Sequence, residues 1–255
     1  MKRNRFMAAM ILPAVILSGA NVLSADYDTV RAKLETAMGA DIRTSADTDR
    51  DRNRRPVETL EFFGLRDDMT VVELLPGGGW YTRLLAPVLA ENGEFYIAYG
   101  TSRTRDLLAG KPGFENMKVT AEDTKIARAE GARFYTASNT DLGVEDVDMV
   151  LTFRNYHNFD EQSRAALNAS VFKALRSGGI YGVVDHTRRH MQADDPENRR
   201  RMDPVLAIRE IQAAGFELVD FSDLHYRADD ELRYEVGRKT VTGNTDRWTL
   251  KFRKP

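Results

Sequence analysis

From Met69 onward, short apolar runs alternate with stretches whose apolar residues recur at helical spacing. Met69–Leu75, Glu94–Tyr99, Val147–Phe153 and Ile180–Val184 read as strands, and Phe216–Phe221 and Trp248–Phe252 as the last two. Trp80–Ala90 and Pro204–Ala214 carry the helical pattern, and Thr104–Ala109 a shorter version of it. Between Asp160 and Arg176, Leu167, Val171, Ala174 and Leu175 share one helical face, and Gly178-Gly179 supply a stop. Met117–Ala121 is a candidate third strand, with Ala132–Ala137 competing for that place. Ahead of these, Pro56 opens Val57-Glu58-Thr59-Leu60-Glu61-Phe62-Phe63-Gly64, with proline in the first turn and glycine just past the end. That asymmetry predicts a short helix.

Strands separated by helices of this length predict an α/β fold, a doubly wound and mostly parallel sheet covered on both faces. No helical pattern separates the last two strands, so they are expected to pair antiparallel at an edge, joined by the long stretch from Asp223 to Asp246. In such sheets ligands sit at the carboxyl ends of the strands, near the point where strand order reverses. The residues just after each strand are therefore the ones to weigh.

Residues 26–55 break this pattern. They are polar, and Asp47 to Arg55 (DTDRDRNRR) carries both signs of charge. The segment reads as a charged N-terminal arm, solvated or briefly helical, before a single domain over 56–255. Before it, Lys2, Arg3 and Arg5 precede an apolar stretch from Phe6 to Leu17, followed by small residues at Ser18-Gly19-Ala20 and Leu23-Ser24-Ala25. Basic, apolar and small-residue regions in that order predict a signal peptide over 1–25, cut after Ala20 or Ala25, and an exported, periplasmic product. Pro13 interrupts an apolar run already short for a bilayer span, so no integral membrane segment is expected after processing.

Composition adds exclusions. With 255 residues, 42% hydrophobic and 30% charged, the chain suits one globular domain. A net charge of −2 and no uninterrupted basic run give no electrostatic case for nucleic acid, and none is expected as a partner. The absence of cysteine excludes disulfides and a lipid-modified cleavage site. Oligomeric state is not legible.

After the first strand the chain reads Glu73-Leu74-Leu75-Pro76-Gly77-Gly78-Gly79-Trp80-Tyr81-Thr82. A dinucleotide turn needs G-x-G-x-x-G, and a P-loop needs G-x-x-x-x-G-K-[ST]. The third glycine of the first and the lysine of the second are missing. Without a basic side chain in it, the turn suits a ligand with little or no phosphate. Strand, acid, glycine turn and helix in that order resemble the first motif of class I S-adenosylmethionine (SAM)-dependent methyltransferases, an acid followed by G-x-G-x-G. Laid onto it, Glu73 takes the acid, Gly77 and Gly79 the second and third glycines, and Leu75 stands where the first would be.

The blocks RDRNRRPVETLEFFG (Arg50–Gly64), VVELLPGGGWYTRLLAP (Val71–Pro87), VLTFRNYHNF (Val150–Phe159) and TDRWTLKFRKP (Thr245–Pro255) are together similar to a family of exported, predicted methyltransferases of Gram-negative bacteria. The resemblance implies a seven-stranded Rossmann-like sheet with an antiparallel last strand, and SAM as cofactor. It implies cofactor contacts from Glu73, Pro76, Gly77, Gly79, Trp80 and Tyr81. The family's second strand ends in an acid for the ribose; here it ends Ala98-Tyr99-Gly100-Thr101-Ser102, so Thr101 is the candidate, and Asp123 the candidate for the adenine.

The fourth long strand ends in Arg154-Asn155-Tyr156-His157-Asn158, five consecutive hydrogen-bonding residues at a sheet opening. His157 has a side chain suited to proton transfer near neutrality, so His157 and Asn155 are the catalytic candidates. Arg154, Asn158 and His186 are candidates for contacting substrate. Asp185, His186, His190 and His157 bear donors that metals accept, but no spacing supports a metal site and none is expected. The loop Thr187–Met202 mixes Arg188, Arg189 and Arg199–Arg201 with Asp194, Asp195 and Glu197 and reads as solvated; with Arg50–Arg55 it is the other place to look for substrate contacts. The leading expectation is methyl transfer to a small molecule or envelope component. The alternatives are a non-catalytic periplasmic binding protein with a degenerate cofactor site, or another reaction using His157 and His186 as an acid–base pair.

Overall fold

The computed structural model describes residues 19–255, with side chains described from Tyr27 onward. The basic and apolar positions of the expected leader, Lys2 to Leu17, lie outside the described residues. In chain order the elements are α1 (Gly19–Met38), α2 (Ser45–Thr48), α3 (Asp51–Arg54), α4 (Pro56–Phe63), β1 (Thr70–Leu74), α5 (Thr82–Leu89), β2 (Glu94–Ala98), α6 (Ser102–Leu108), β3 (Met117–Thr120), β4 (Lys125–Ala127), β5 (Thr136–Ser138), β6 (Val147–Phe153), α7 (Glu161–Ala174), β7 (Leu175–His186), α8 (Pro204–Ala213), β8 (Glu217–Ser222) and β9 (Arg247–Arg253).

The main sheet has seven strands in the order β3-β2-β1-β6-β7-β9-β8. All pairs from β3 to β7 are parallel, and β9 runs antiparallel between β7 and β8. The expected doubly wound sheet with an antiparallel last strand is thus the observed one. Met117–Thr120 is the third strand, whereas Thr136–Ser138, from the competing segment, pairs with Lys125–Ala127 in a separate hairpin. Strand order reverses between β1 and β6, whose carboxyl ends therefore open onto a common crevice.

Each sheet face has its own core. One packs Leu60, Phe63, Leu84, Leu85 and Val88 on Val71, Ile97 and Leu151; the other packs Leu167, Val171, Ala207 and Ile211 on Val72, Val150, Tyr181 and Phe252. Burial on both faces is why Val71, Val72 and Leu74 of β1 and Val147, Met149, Val150, Leu151 and Phe153 of β6 are apolar without alternation. Gly182 marks a tight contact between layers. A Cβ there would stand 2.7 Å from Leu151 Cδ2 and 2.8 Å from Phe63 Cδ1. Gly182→Ala is expected to destabilise the fold by about 1–3 kcal/mol, the usual cost of overpacking, read as a lowered urea midpoint. An unchanged midpoint would show that α4 can stand away from the sheet.

The arm is the main correction to the chain pattern. In α1, Tyr27, Val30, Leu34 and Ala37 form a buried stripe at helical spacing, and Tyr27 donates its hydroxyl to Val57 O. Charged residues on the other face hid a stripe of only four apolar positions. The following turns are held by Arg43 on Asp51 and by Trp80 Nε1 donating to Asp47 O at 3.0 Å. The segment from Thr44 to Arg55 therefore lies over the crevice rather than away from it. Among the described residues no helix is long and apolar enough to cross a membrane.

Candidate functional site

The turn after β1 is built backwards from its neighbours. Leu75 takes φ +55°, a left-handed conformation that glycine adopts freely and leucine does not. Two bonds hold it: Leu75 N donates to Ala98 O at 2.8 Å, and Asn155 Nδ2 donates to Leu75 O at 3.0 Å. The backbone thus keeps the glycine-type turn although the glycine is gone. Gly77 and Gly79 follow at φ +62° and +74°. At Gly77 a Cβ would meet only Leu75 O, at 4.0 Å, so the position preserves both a left-handed φ and open space beside the cavity. The turn's outward carbonyls are taken up by Thr104 Oγ1 on Gly77 O and Arg83 Nη1 on Gly78 O.

Glu73 is no solvated strand end. It is buried, and accepts Thr82 Oγ1–H at 2.5 Å, tying β1 to the start of α5. Burial pushes its carboxyl up to about 7, against the lowering effects of the Thr82 bond and Arg54. Trp80 and Tyr81 are mostly core: Tyr81 stacks on Phe153 with ring centroids 3.5 Å apart, and Arg54 lies 4.2 Å over Trp80. Each nevertheless lines one side of a cavity of about 390 Å³ that also meets Glu73, Leu75, Pro76, Gly77, Arg54 and Asn155.

A second cavity, about 670 Å³, adjoins the first through Arg50, Arg54, Arg154 and Asn155, which line both. Its wall carries His157, Asn158 and His186. His157 is buried, and its Nδ1 lies 2.5 Å from Asp185 Oδ1, while its backbone N–H donates to Asp185 Oδ2 at 2.8 Å. A carboxylate can only accept, so Nδ1 carries the hydrogen, and in the neutral tautomer this leaves the lone pair on Nε2. Nε2 bonds to no described residue. His186, with its ring centroid 5.7 Å from that of His157, shares its Nδ1 with Thr245 Oγ1 at 2.9 Å. Burial, with Arg247 adding to it, holds His186 well below the usual imidazole range, so it is a neutral wall rather than an acid.

The structure therefore brings together Glu73, Pro76, Gly77, Trp80, Tyr81, Arg154, Asn155, His157, Asn158 and His186; Gly79 belongs to the same turn but lines neither cavity. It does not bring in Thr101 or Asp123. Tyr99 and Gly100 both turn left-handed, Thr101 is the cap residue just before α6, and Asp123 is exposed in the turn before β4. Neither lines either cavity. Asn155 spends its amide on Leu75 O and Phe153 O, which makes it a brace between β1 and β6. His190 pairs with Asp203, and neither lines either of these cavities. In the loop Thr187–Met202, expected to be solvated, Arg201 is buried and forked onto Asp230 with both bonds at 2.9 Å.

Three contributors escaped the residue pattern. Asp185 was visible only as a possible metal donor, Arg54 only as one of the arginines of Arg50–Arg55 where substrate contacts were to be sought, and Arg247 only as part of the last-strand block. Arg247 enters because β9 pairs antiparallel with β7 in a register that sets Arg247 opposite His186. Among the described residues no carboxylate forms an ion pair with it, and its side chain donates only to Asn53 O.

No protein-family model matches the chain, and no curated protein matches its sequence. Solved structures do match. A SAM-dependent methyltransferase from Aquifex aeolicus aligns over 88% of this chain and 98% of its own length, at 13% identity and a TM-score of 0.56. The [4+2]-cyclase SpnF aligns over 90% and 93%, at 17% identity and 0.57. The glycopeptide N-methyltransferase MtfA, solved with S-adenosyl-L-homocysteine, aligns over 80% and 90%, at 16% identity and 0.52. The fold is the Rossmann-like class I methyltransferase fold. Because a [4+2]-cyclase shares it, the site and not the sheet must carry the argument about chemistry.

Proposed function

We propose that this chain is a SAM-dependent methyltransferase that acts on a small molecule or an envelope component, and that, with the leader read at residues 1–25, it works in the periplasm. The observation that carries the reading is the turn Leu75–Gly79, which keeps left-handed backbone at Leu75, Gly77 and Gly79 and open space beside Gly77, next to the buried acid Glu73. The neighbours' chemistry supports it, two of the three being methyltransferases by name.

The smaller cavity suits the cofactor in size and in donors. Its volume of about 390 Å³ falls in the range of roughly 300–1,000 Å³ usual for small-ligand pockets. It offers carboxylates, Asp47 and Glu73, for the ammonium and sulfonium end, and Arg50 and Arg83 for a carboxylate. When bound, SAM would supply an electrophilic methyl carbon. The chain's part is mainly placement: Trp80 and Tyr81 wall the cavity, and Arg154 and Asn155, common to both cavities, set the boundary across which acceptor and donor meet. His157 Nε2 takes the proton that the acceptor's hydroxyl or amine loses. Asp185 keeps Nδ1 protonated and offsets the positive charge that results on the ring.

Calorimetric titration with S-adenosylhomocysteine is expected to show binding, and Gly77→Arg, which drives a long side chain into the open space, to weaken it by at least about a hundredfold, well over 2 kcal/mol. Absence of binding by the wild-type chain at millimolar ligand would remove the enzyme reading. A specific observation favours a second reading in that event. The Leu75 side chain stands 3.9 Å from where a Cβ at Gly100 would be, covering the end of β2, where no carboxylate follows. That arrangement suits a binding protein on this fold that has given up the cofactor.

A further inference from the structure

Buried arginines in this protein are as a rule paired. Arg164 grips Glu210 through two bonds of 2.7 Å, Arg201 grips Asp230 through two of 2.9 Å, and Arg43 is forked onto Asp51. Two buried ones, Arg54 and Arg247, break the rule, and they meet a half-buried third, Arg154, at one place. Arg54 ends α3, Arg154 follows β6, and Arg247 begins β9, and all three line the larger cavity. Arg54 is 4% exposed and Arg247 is 7% exposed. Arg54 and Arg154 make no side-chain hydrogen bond to any described residue, and Arg247 donates only from Nη1 to Asn53 O at 2.9 Å. Buried nitrogens are left over on each: Arg54 Nη2, Arg154 Nε and Arg247 Nε.

The carboxylates that act on these arginines, Asp185 on Arg154 and Arg247 and Glu73 beside Arg54, do not settle the account, and Glu73 is already bonded to Thr82. Asp185 already accepts from His157 N, His157 Nδ1 and His186 N. The remaining wall adds Arg50, Arg52 and Arg200, of which Arg200 is held by Glu235, and one acid, Asp49. Burial lowers all three guanidinium groups, and mutual repulsion lowers Arg54 and Arg247 further, Arg54 to about 9 and Arg247 to about 10. Several positive groups desolvated together, with donors unspent, cost an empty protein stability unless an anion joins them. A planar carboxylate can satisfy one guanidinium fork; donors arriving from three separate elements suit a tetrahedral oxyanion with several oxygens.

We propose that Arg54, Arg154 and Arg247 form a binding site for a phosphate-type dianion, either free or as the terminal group of a phosphate ester, at the inner end of the larger cavity beside His157. That the anion belongs to the methyl acceptor rests on the methyltransferase reading; the site itself does not. Bound there, the anion would anchor the acceptor, and the His157–Asp185 pair would stand by its nucleophile.

The test uses the full-length protein in chloride buffer at matched ionic strength, with inorganic phosphate and phenyl phosphate as probes in calorimetry and thermal unfolding. Wild-type protein should bind phosphate and melt at higher temperature in its presence. Arg154→Met should melt higher than wild type without phosphate, because one repelling charge is gone, and bind phosphate at least tenfold more weakly. A merely structural arginine would give the opposite sign in phosphate-free buffer. Arg247→Gln reads the same loss of binding should Arg154→Met not fold, and Arg253→Met, exposed at the sheet edge beside Glu217, should bind as wild type does. Tighter binding of phenyl phosphate identifies an ester, and the reverse a free ion. No phosphate binding by wild type, or undiminished binding by Arg154→Met, overturns the proposal. So does competition between phosphate and S-adenosylhomocysteine, which would assign the arginines to the cofactor's carboxylate. Phosphate binding without any S-adenosylhomocysteine binding leaves the anion site standing and removes the methyl-transfer reading alone.

Discussion

Asp185→Ala is expected to cost about 3–5 kcal/mol of folding stability, the range for breaking a buried charged pair, and to abolish turnover of an acceptor in whatever protein remains folded. Asp185 has no exposed surface and receives three donors: His157 N–H, His157 Nδ1–H and His186 N–H. Alanine leaves all three without a partner inside the protein. It also removes the one carboxylate whose charge eases Arg154 and Arg247. Urea unfolding reads the stability loss.

The catalytic share is separated by two milder changes. His157→Ala should retain S-adenosylhomocysteine binding and lose about 10²–10⁴-fold in turnover, the usual worth of a general base. Asp185→Asn keeps the shape but offers an amide, so it can no longer fix Nδ1–H; turnover should fall while the fold survives, and the pH profile of turnover should change. Asp185 is a positioning residue, and a purely structural role would leave that profile where it was. Unchanged turnover in His157→Ala would end the base assignment.

Glu73→Gln is expected to stabilise the protein at alkaline pH. The folded carboxyl titrates at about 7 against a reference of 4.5, with burial as the main cause. Below the reference value both states hold the proton and the group costs nothing. As pH rises through 7 the folded protein must ionise a carboxyl that the unfolded chain ionised earlier, and the penalty grows to roughly 3 kcal/mol. Glutamine carries no charge, and the Thr82 hydroxyl can still bond to its amide oxygen. The gain over wild type should therefore be close to full at pH 8.5 and nearly absent at pH 4.5, measured by urea unfolding at both. Equal effects at the two pH values would show that the carboxyl does not titrate near neutrality. A residue that destabilises the ligand-free fold yet lines the smaller cavity fits a role in binding a cation there.

Much of the scaffold is legible in the chain because it depends on short-range pattern. The runs at Val71–Leu74 and Val147–Phe153 are mostly apolar, without strand alternation, because both faces of the sheet are covered, and Gly215 and Gly64 stop their helices by local geometry. Where two segments had similar patterns, as at Met117–Ala121 and Ala132–Ala137, sequence alone left both open; pairing with β2 decided between them. The stripe Tyr27–Val30–Leu34–Ala37 was obscured by the charges around it, and only the surface it packs against reveals it as core.

The site divides in the same way. By itself the sequence determined a doubly wound α/β sheet, a glycine turn unlike a phosphate loop, and a hydrogen-bonding cluster at Arg154–Asn158, all written in contiguous residues. Tertiary structure alone decided that Leu75 adopts the glycine conformation, because Ala98 and Asn155 hold it from two other strands. It alone joined His157 to Asp185 across neighbouring strand ends, and gathered Arg54, Arg154 and Arg247 from three distant segments. The physical reason is the range of the interactions. Propensity and periodicity act over a few residues, whereas pairing, burial and charge repulsion depend on which segments the sheet order makes neighbours.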